Sequence, residues 1–417
     1  MNTPPTVGIA SSEVEAAPTA PLTRAMENQA GRARRLFGAW SLEVLLPFAI
    51  TRFGLLLVGW FGRYLPFNAT YNDELGNVAA RGWAFSPNRL LDMWGRWDTH
   101  WYAMIVRDGY RGSNLATREW TDVAFFPLFP GTARLIYKML PGALQTRTAA
   151  LTILVVMANL LAVAALSALY SFGRTQFGSD VARRATWYVL AFPTGFYLSA
   201  AYTESLFLFL LVSTFIFATR HRWALAGICG SLLALTRPPG VLVAIPVAWL
   251  YLENIKFQWR RVRPDLLFVG IIPLGFAMYG LFLRRLTGDP LAIFHAQLGW
   301  GRGLSAPWET LSHPVDLNPF ITPIDQVAVC AFAVAGIVLL FRMPSASYGL
   351  FTLVSLAPVL LAGRLNAAAR YVLVLFPVFL LMARAGANAI VDRCIMFVFT
   401  VLQGLFMFAW SQGYWVD

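Results

Sequence analysis

Val123-Ala-Phe-Phe-Pro-Leu-Phe-Pro-Gly-Thr-Ala-Arg-Leu-Ile-Tyr-Lys-Met-Leu140 is the stretch on which the topology of this chain turns. It is apolar, but shorter than the roughly 20 residues a helix needs to cross hydrocarbon, and Pro127 and Pro130 interrupt it. Long apolar runs surround it on both sides. If it crosses a membrane, the orientation of everything after it inverts. The basic loops decide the matter. Arg174, Arg183 and Arg184 form one; Arg220, His221 and Arg222 a second; Lys256, Arg260, Arg261 and Arg263 a third. All three share a side if spans lie at 148–171, 185–200, 203–219, 223–238, 240–253 and 266–283. The positive-inside rule makes that side cytoplasmic. A first span at 43–61 should leave the cytoplasm, because the residues before it end in Gly31-Arg32-Ala33-Arg34-Arg35. Both statements hold only if 123–140 does not cross. It is therefore expected as a juxtamembrane or re-entrant helix within one large extracytoplasmic loop, 62–146. Lys138 and Arg147 then lie outside, a modest cost.

Working outward, a second outer loop is expected at 284–324, and further spans at 325–341, 347–362, 368–383 and 390–410. The expectation is an all-α polytopic membrane protein of about eleven spans in a single transmembrane domain, 39–417. Composition agrees: 58% of the 417 residues are hydrophobic and only 13% charged, too little charge to cover a soluble surface. Mean hydropathy is +0.58. The net charge of +12 resides mostly in short loops, where it reports topology and contact with membrane lipid phosphates rather than nucleic acid. Residues 1–38, rich in Ala, Pro, Thr and Ser, read as a disordered basic cytoplasmic tail. Cys229, Cys330 and Cys394 lie far apart in apolar segments and read as small core residues.

Ionisable groups in or beside a membrane are costly, so each needs a reason. The densest cluster is Trp94-Gly-Arg-Trp-Asp-Thr-His-Trp-Tyr-Ala-Met-Ile-Val-Arg-Asp-Gly-Tyr110. Placed on one helix, Trp94, Trp97, Trp101, Met104 and Ile105 make an apolar stripe. Asp98 and Tyr102 flank one edge, and Arg96, His100 and Arg107 the other. Such a helix should lie flat at the membrane surface with Asp98 at headgroup depth, able to meet a lipid-linked substrate. Equally, Asp98 could be a solvated acid paired to Arg96 or His100.

A second cluster, Phe192-Pro-Thr-Gly-Phe-Tyr-Leu-Ser-Ala-Ala-Tyr-Thr-Glu-Ser205, is expected as an outer hairpin, with Glu204 either active or in a helix first turn after a Thr203 cap. A third, Leu235-Thr-Arg-Pro-Pro-Gly240, places Arg237 at the outer end of a span. There its guanidinium could bind phosphate or snorkel to the interface. Arg370 admits the same two readings. Arg52, inside the first span, has no evident partner. The four histidines lack metal-ligand spacing; a divalent cation is compatible with the chain, but no ligand set is legible. Nucleotide-loop, zinc-protease and serine-hydrolase motifs are absent.

Arg96-Trp-Asp-Thr-His-Trp-Tyr102 through Gly109-Tyr110, Phe125-Phe-Pro-Leu-Phe-Pro130, Phe192-Pro-Thr-Gly-Phe196 with Tyr202-Thr-Glu-Ser-Leu-Phe207, and Leu235-Thr-Arg-Pro-Pro-Gly240 occur in the order seen in the PIG-V family, which they resemble. That family contains the second GPI mannosyltransferase of eukaryotes and bacterial relatives, and this chain looks more like the latter, in a plasma membrane. The resemblance covers about 90–250 well and the rest loosely. It implies a GT-C glycosyltransferase fold with a large first external loop carrying juxtamembrane helices. It also implies catalysis by the acid of the Trp-Asp motif, here Asp98, and a polyprenyl-phosphate mannose donor. Arg237 and Arg370 would bind the donor phosphate, and His100, Tyr102 and Glu204 would position sugar hydroxyls or Asp98. The hydroxyl acceptor stays open among lipid, glycolipid and protein. A flippase of a lipid-linked sugar, or a non-catalytic lipid-holding partner, would also need a cationic pocket, though no inverted repeat supports transport.

Overall fold

The computed structural model describes residues 40–64, 85–112, 120–312, 321–365 and 367–416. The expected tail, 1–38, lies outside the described residues. The described residues from Glu43 onward form one compact unit, with helices and no strand among them. In chain order the helices are α1 (Leu46–Tyr64), α2 (Arg89–Asp92), α3 (Thr99–Asp108), α4 (Leu128–Lys138), α5 (Arg147–Phe177), α6 (Ser179–Ala191), α7 (Glu204–Thr219), α8 (Trp223–Ala234), α9 (Ala244–Asn254), α10 (Ile272–Thr287), α11 (Ala292–Gly299), α12 (Pro307–Ser312), α13 (Ile321–Arg342), α14 (Ser347–Leu360), α15 (Ala368–Val372), α16 (Phe376–Ala385) and α17 (Ala389–Ser411).

Five helical stretches are long and apolar enough to cross a membrane: Ser41–Tyr64, Arg147–Phe177, Pro264–Thr287, Thr322–Arg342 and Ala389–Ser411. The protein is an integral membrane protein. Helices α7, α8, α14 and α16 are apolar but shorter. α4, at 11 residues, rises only ~16 Å, about half the thickness of a hydrocarbon core.

The central element is α5. The side chain of Thr146 caps it by accepting the Ala149 N–H. Leu151, Leu154, Ala158, Ala162, Ala165 and Leu169 recur every three or four residues, all buried, along the face that meets α6 and α7. The alanines let neighbouring backbones approach, which drives helix association where lipid offers no hydrophobic contrast. α8 and the stretch leading into α10 use the same device. A side chain at Gly227 or Gly275 would collide with the carbonyl of Phe268 or Ser231.

The segment expected as a helical span, 185–200, departs most from expectation. Helix α6 ends at Ala191, and Phe192–Thr203 continues as irregular chain around one 3-10 turn, Gly195–Leu198. Every residue of it is buried. Irregular backbone inside a bundle survives only if its polar groups find partners in the protein. Gln403 of α17 donates to the carbonyls of Leu190 (2.7 Å) and Phe192 (2.9 Å). Arg52 of α1 donates through Nη1 to the Gly195 carbonyl (3.2 Å) and Ser199 Oγ (2.9 Å), and Ser199 in turn donates to Asn159 Oδ1 of α5 (2.7 Å). The partner that Arg52 lacked in sequence is thus a broken-helix backbone, with no carboxylate required. We expect Arg52→Met to destabilise the protein by about 1–3 kcal/mol, the usual cost of stranding buried acceptors. Thermal unfolding of purified protein in detergent should show the loss as a lower midpoint, whereas an unchanged midpoint would refute this role.

Candidate active site

Asp98 is not on the helix that its sequence neighbourhood suggests. The chain from Met93 to Asp98 forms turns, and α3 begins at Thr99. Trp94 and Trp97 therefore leave the expected stripe, while Trp101, Met104 and Ile105 stay on the helix. The cause is local competition. Arg96 folds back, donating through Nη1 to the carbonyls of Asp92 (2.7 Å) and Gly95 (2.6 Å). It also pairs with Asp92 Oδ2 at 3.3 Å, which Arg63 meets from α1 at 3.3 Å. The other oxygen of Asp92 accepts the Phe85 N–H at 2.7 Å. Arg96 is consequently a buried anchor for this turn, with Asp92 as its acid.

Trp97 takes a left-handed conformation, φ +49°, unfavourable for a bulky residue. Two contacts hold it there: its indole N–H donates to the Tyr414 carbonyl at 3.2 Å, and its ring meets Trp415 edge-on at 4.7 Å. The Tyr202 hydroxyl, from the buried segment before α7, then fixes the next residue. It accepts the Asp98 N–H at 3.1 Å and donates to the Arg96 carbonyl at 3.0 Å.

The Asp98 backbone is thereby pinned while its carboxylate faces a cavity of about 80 Å³. Tyr102, Arg237, Arg302, Arg370, Tyr371 and Trp300 are among the other lining residues. The charges form a chain. Asp98 Oδ2 meets Arg370 Nη1 at 3.0 Å; Arg370 Nε lies 3.4 Å from Glu204 Oε1; that same oxygen takes Arg237 Nη1 at 2.7 Å. Glu204 is 1% exposed in its side chain, Arg370 8% and Asp98 16%. Glu204 therefore sits behind the arginines, holding both from one oxygen, and the Thr203 side chain makes no capping bond. Tyr371 lies under Arg237, whose guanidinium carbon is 4.5 Å from the ring centroid.

Each arginine is aimed by its own backbone device. Arg237 precedes the 3-10 turn Pro238–Val243, whose two prolines preset the turn. Gly240 packs there against the Leu233 carbonyl, where a Cβ would clash. Arg370 rides on the five-residue α15, which starts after Ala367 in the left-handed region, φ +62°. The Ala369 N–H donates to Asp325 Oδ1 of α13 (2.7 Å), and its carbonyl accepts from Thr194 (2.8 Å). Arg302, in the chain after α11, donates through Nη1 to Gln297 Oε1 (3.2 Å) and reaches the Tyr371 hydroxyl at 3.5 Å.

Of the residues singled out in sequence, Asp98, Tyr102, Arg237 and Arg370 line the cavity, with Glu204 behind them; His100 is not among the lining residues. Burial, then the positive charges of Arg147 and Arg107, lower the His100 pKa, so its ring is neutral at pH 7. Burial, reinforced by Asp98 and Glu204, pushes the Tyr102 phenol up, leaving it a protonated donor. Sequence reasoning missed Arg302, Tyr371 and Tyr202. The adjacency Trp300-Gly-Arg302, between two apolar stretches, was the available signal for the first. Among the described residues no three His, Cys, Asp or Glu side chains gather as a metal ligand set. We expect Tyr202→Phe to lower turnover about 10- to 100-fold without loss of folded protein, because it frees the Asp98 backbone. His100→Gln should stay within about twofold of wild type in the same kcat measurement.

No protein-family model matches the chain. No curated protein matches it either. Among solved structures it is similar to ArnT from Cupriavidus metallidurans, crystallised with undecaprenyl phosphate, with a TM-score of 0.51 over 84% of this chain and 60% of that one at 11% identity. The chain thus spans about 60% of the length of ArnT. The apo oligosaccharyltransferase of Archaeoglobus fulgidus aligns over 90% of this chain and 56% of that one, with 14% identity and a TM-score of 0.45, too low to carry an argument. At such identity the likeness to ArnT is one of fold, and the fold is the GT-C-type bundle of membrane helices.

Proposed function

We propose that this protein is a membrane glycosyltransferase that takes its sugar from a polyprenyl-phosphate donor at an extracytoplasmic site. The observation that carries the reading is a carboxylate, Asp98, facing a cavity lined by Arg237, Arg302 and Arg370, in a fold shared with ArnT. A phosphodiester donor needs cations around its phosphate and a base beside its anomeric carbon, and both are at hand.

In the reaction, Asp98 takes the proton of the acceptor hydroxyl as that oxygen bonds to the anomeric carbon. The bond from this carbon to the phosphate oxygen breaks, its electron pair stays on the phosphate, and configuration inverts. The leaving polyprenyl phosphate gains a negative charge, so it needs charge stabilisation more than a proton. Arg237 and Arg370 supply part of it. Tyr102, kept protonated, donates to a sugar hydroxyl or to the phosphate. The likeness of the four motifs to the PIG-V family favours mannose as the sugar. The acceptor is a hydroxyl of a lipid, glycolipid or protein.

Membranes carrying the wild-type protein should transfer radiolabel from polyprenyl-phosphate mannose to extractable acceptors. Asp98→Asn should abolish transfer, a loss of at least about 10³-fold, while remaining folded. Equal transfer by both would remove Asp98 from the chemistry. Arg237→Gln should lower kcat/KM by about 10- to 100-fold, as expected for one lost charge-assisted contact to a phosphate.

A further inference from the structure

Two cations reach this cavity already neutralised. Arg237 is matched by Glu204, and Arg370 is shared between Glu204 and Asp98. Arg302 differs: its hydrogen bonds among the described residues go to the neutral oxygens of Gln297 and Tyr371. Counting three arginines against two acids, the cavity keeps one positive charge, located on Arg302. An incoming anion is drawn there first.

Asp98 is held from two sides of unequal strength. Its backbone is fixed by Tyr202 and by the anchored Trp97. Its carboxylate is tethered by one bond, Oδ2 to Arg370 Nη1, while the other oxygen makes no hydrogen bond among the described residues. That bond fixes the direction of the carboxylate, which cannot turn toward an acceptor hydroxyl while it stands. The proposed chemistry needs this same carboxylate free.

We infer that the Asp98–Arg370 pair is a latch, and that a phosphate ester entering beside Arg302 takes over Nη1 of Arg370 and releases Asp98 to act as base. The inference rests on the glycosyltransferase reading. Phosphate and carboxylate compete for one guanidinium, and both are acceptors suited to its fork. Glu204 plays the opposite part. Buried behind both arginines, it holds them toward the cavity and is not displaced. The base is thus free only when the donor phosphate is seated, which places the donor before the acceptor.

The two acids should therefore have opposite effects on phosphate affinity. The experiment titrates purified full-length protein in nanodiscs with undecaprenyl phosphate, with inorganic phosphate in a parallel arm. Asp98→Asn should bind undecaprenyl phosphate about tenfold more tightly than wild type, and Asp98→Ala likewise. Glu204→Gln should bind it about tenfold more weakly. Tightening by both acid substitutions would mean that only the summed field matters and would overturn the latch. So would unchanged or weaker binding by both Asp98 variants, which share no steric defect. If wild type binds no undecaprenyl phosphate while all variants elute as folded monodisperse protein, the donor reading itself fails, and the latch with it. Saturation by inorganic phosphate with equal affinity would assign the site to free phosphate and overturn release by a lipid-linked donor.

Discussion

The pairing of charges behind the cavity depends on one buried carboxylate. Glu204 lies at the first turn of α7, nearly without solvent, and its Oε1 takes Arg237 at 2.7 Å and Arg370 at 3.4 Å. Two guanidiniums so close to each other would repel, and each would be costly to bury alone. One acid between them makes the arrangement tolerable and sets its geometry. Arg370 can then reach forward to Asp98, and Arg237 can lie over Tyr371. Three segments distant in sequence are fastened to one another by this contact.

The bundle around it is built to admit irregular chain. Phe192–Thr203 breaks the helical run just where Tyr202 and Glu204 must be delivered, and the carbonyls it frees are answered by Gln403 and Arg52 from flanking long helices. The same economy appears at Ala367, where a left-handed residue starts a short helix that presents Arg370. Two of the left-handed non-glycine residues, Trp97 and Ala367, flank or join the residues that line the cavity, while α5 carries a stripe of small buried residues.

How far the site could be read from sequence differs by residue. Asp98, Arg237 and Arg370 stood out because charge next to membrane-depth sequence is expensive and needs a reason. The helix proposed around Asp98 was wrong at its start, because Arg96 bonds to its own backbone and Trp97 is held left-handed by Tyr414 and Trp415, residues more than three hundred positions away. No local pattern encodes that. His100 shares the motif with Asp98 yet does not line the cavity, since the turn preceding α3 directs the two side chains differently.

By itself the sequence determined that this is a helical membrane protein, since apolar runs without enough charge admit no other solvent, and that an acid and several arginines must be explained. Its basic loops also made 123–140 the segment on which the orientation turns, and within it the structure places α4, a helix of 11 residues. Tertiary structure alone decided which charges meet. Asp98 could have paired with Arg96 or His100, its near neighbours; it pairs instead with Arg370, because Asp92 had already claimed Arg96 and Glu204 had drawn Arg370 to the cavity. Ion pairing falls off with distance in space, and only the folded bundle sets that distance.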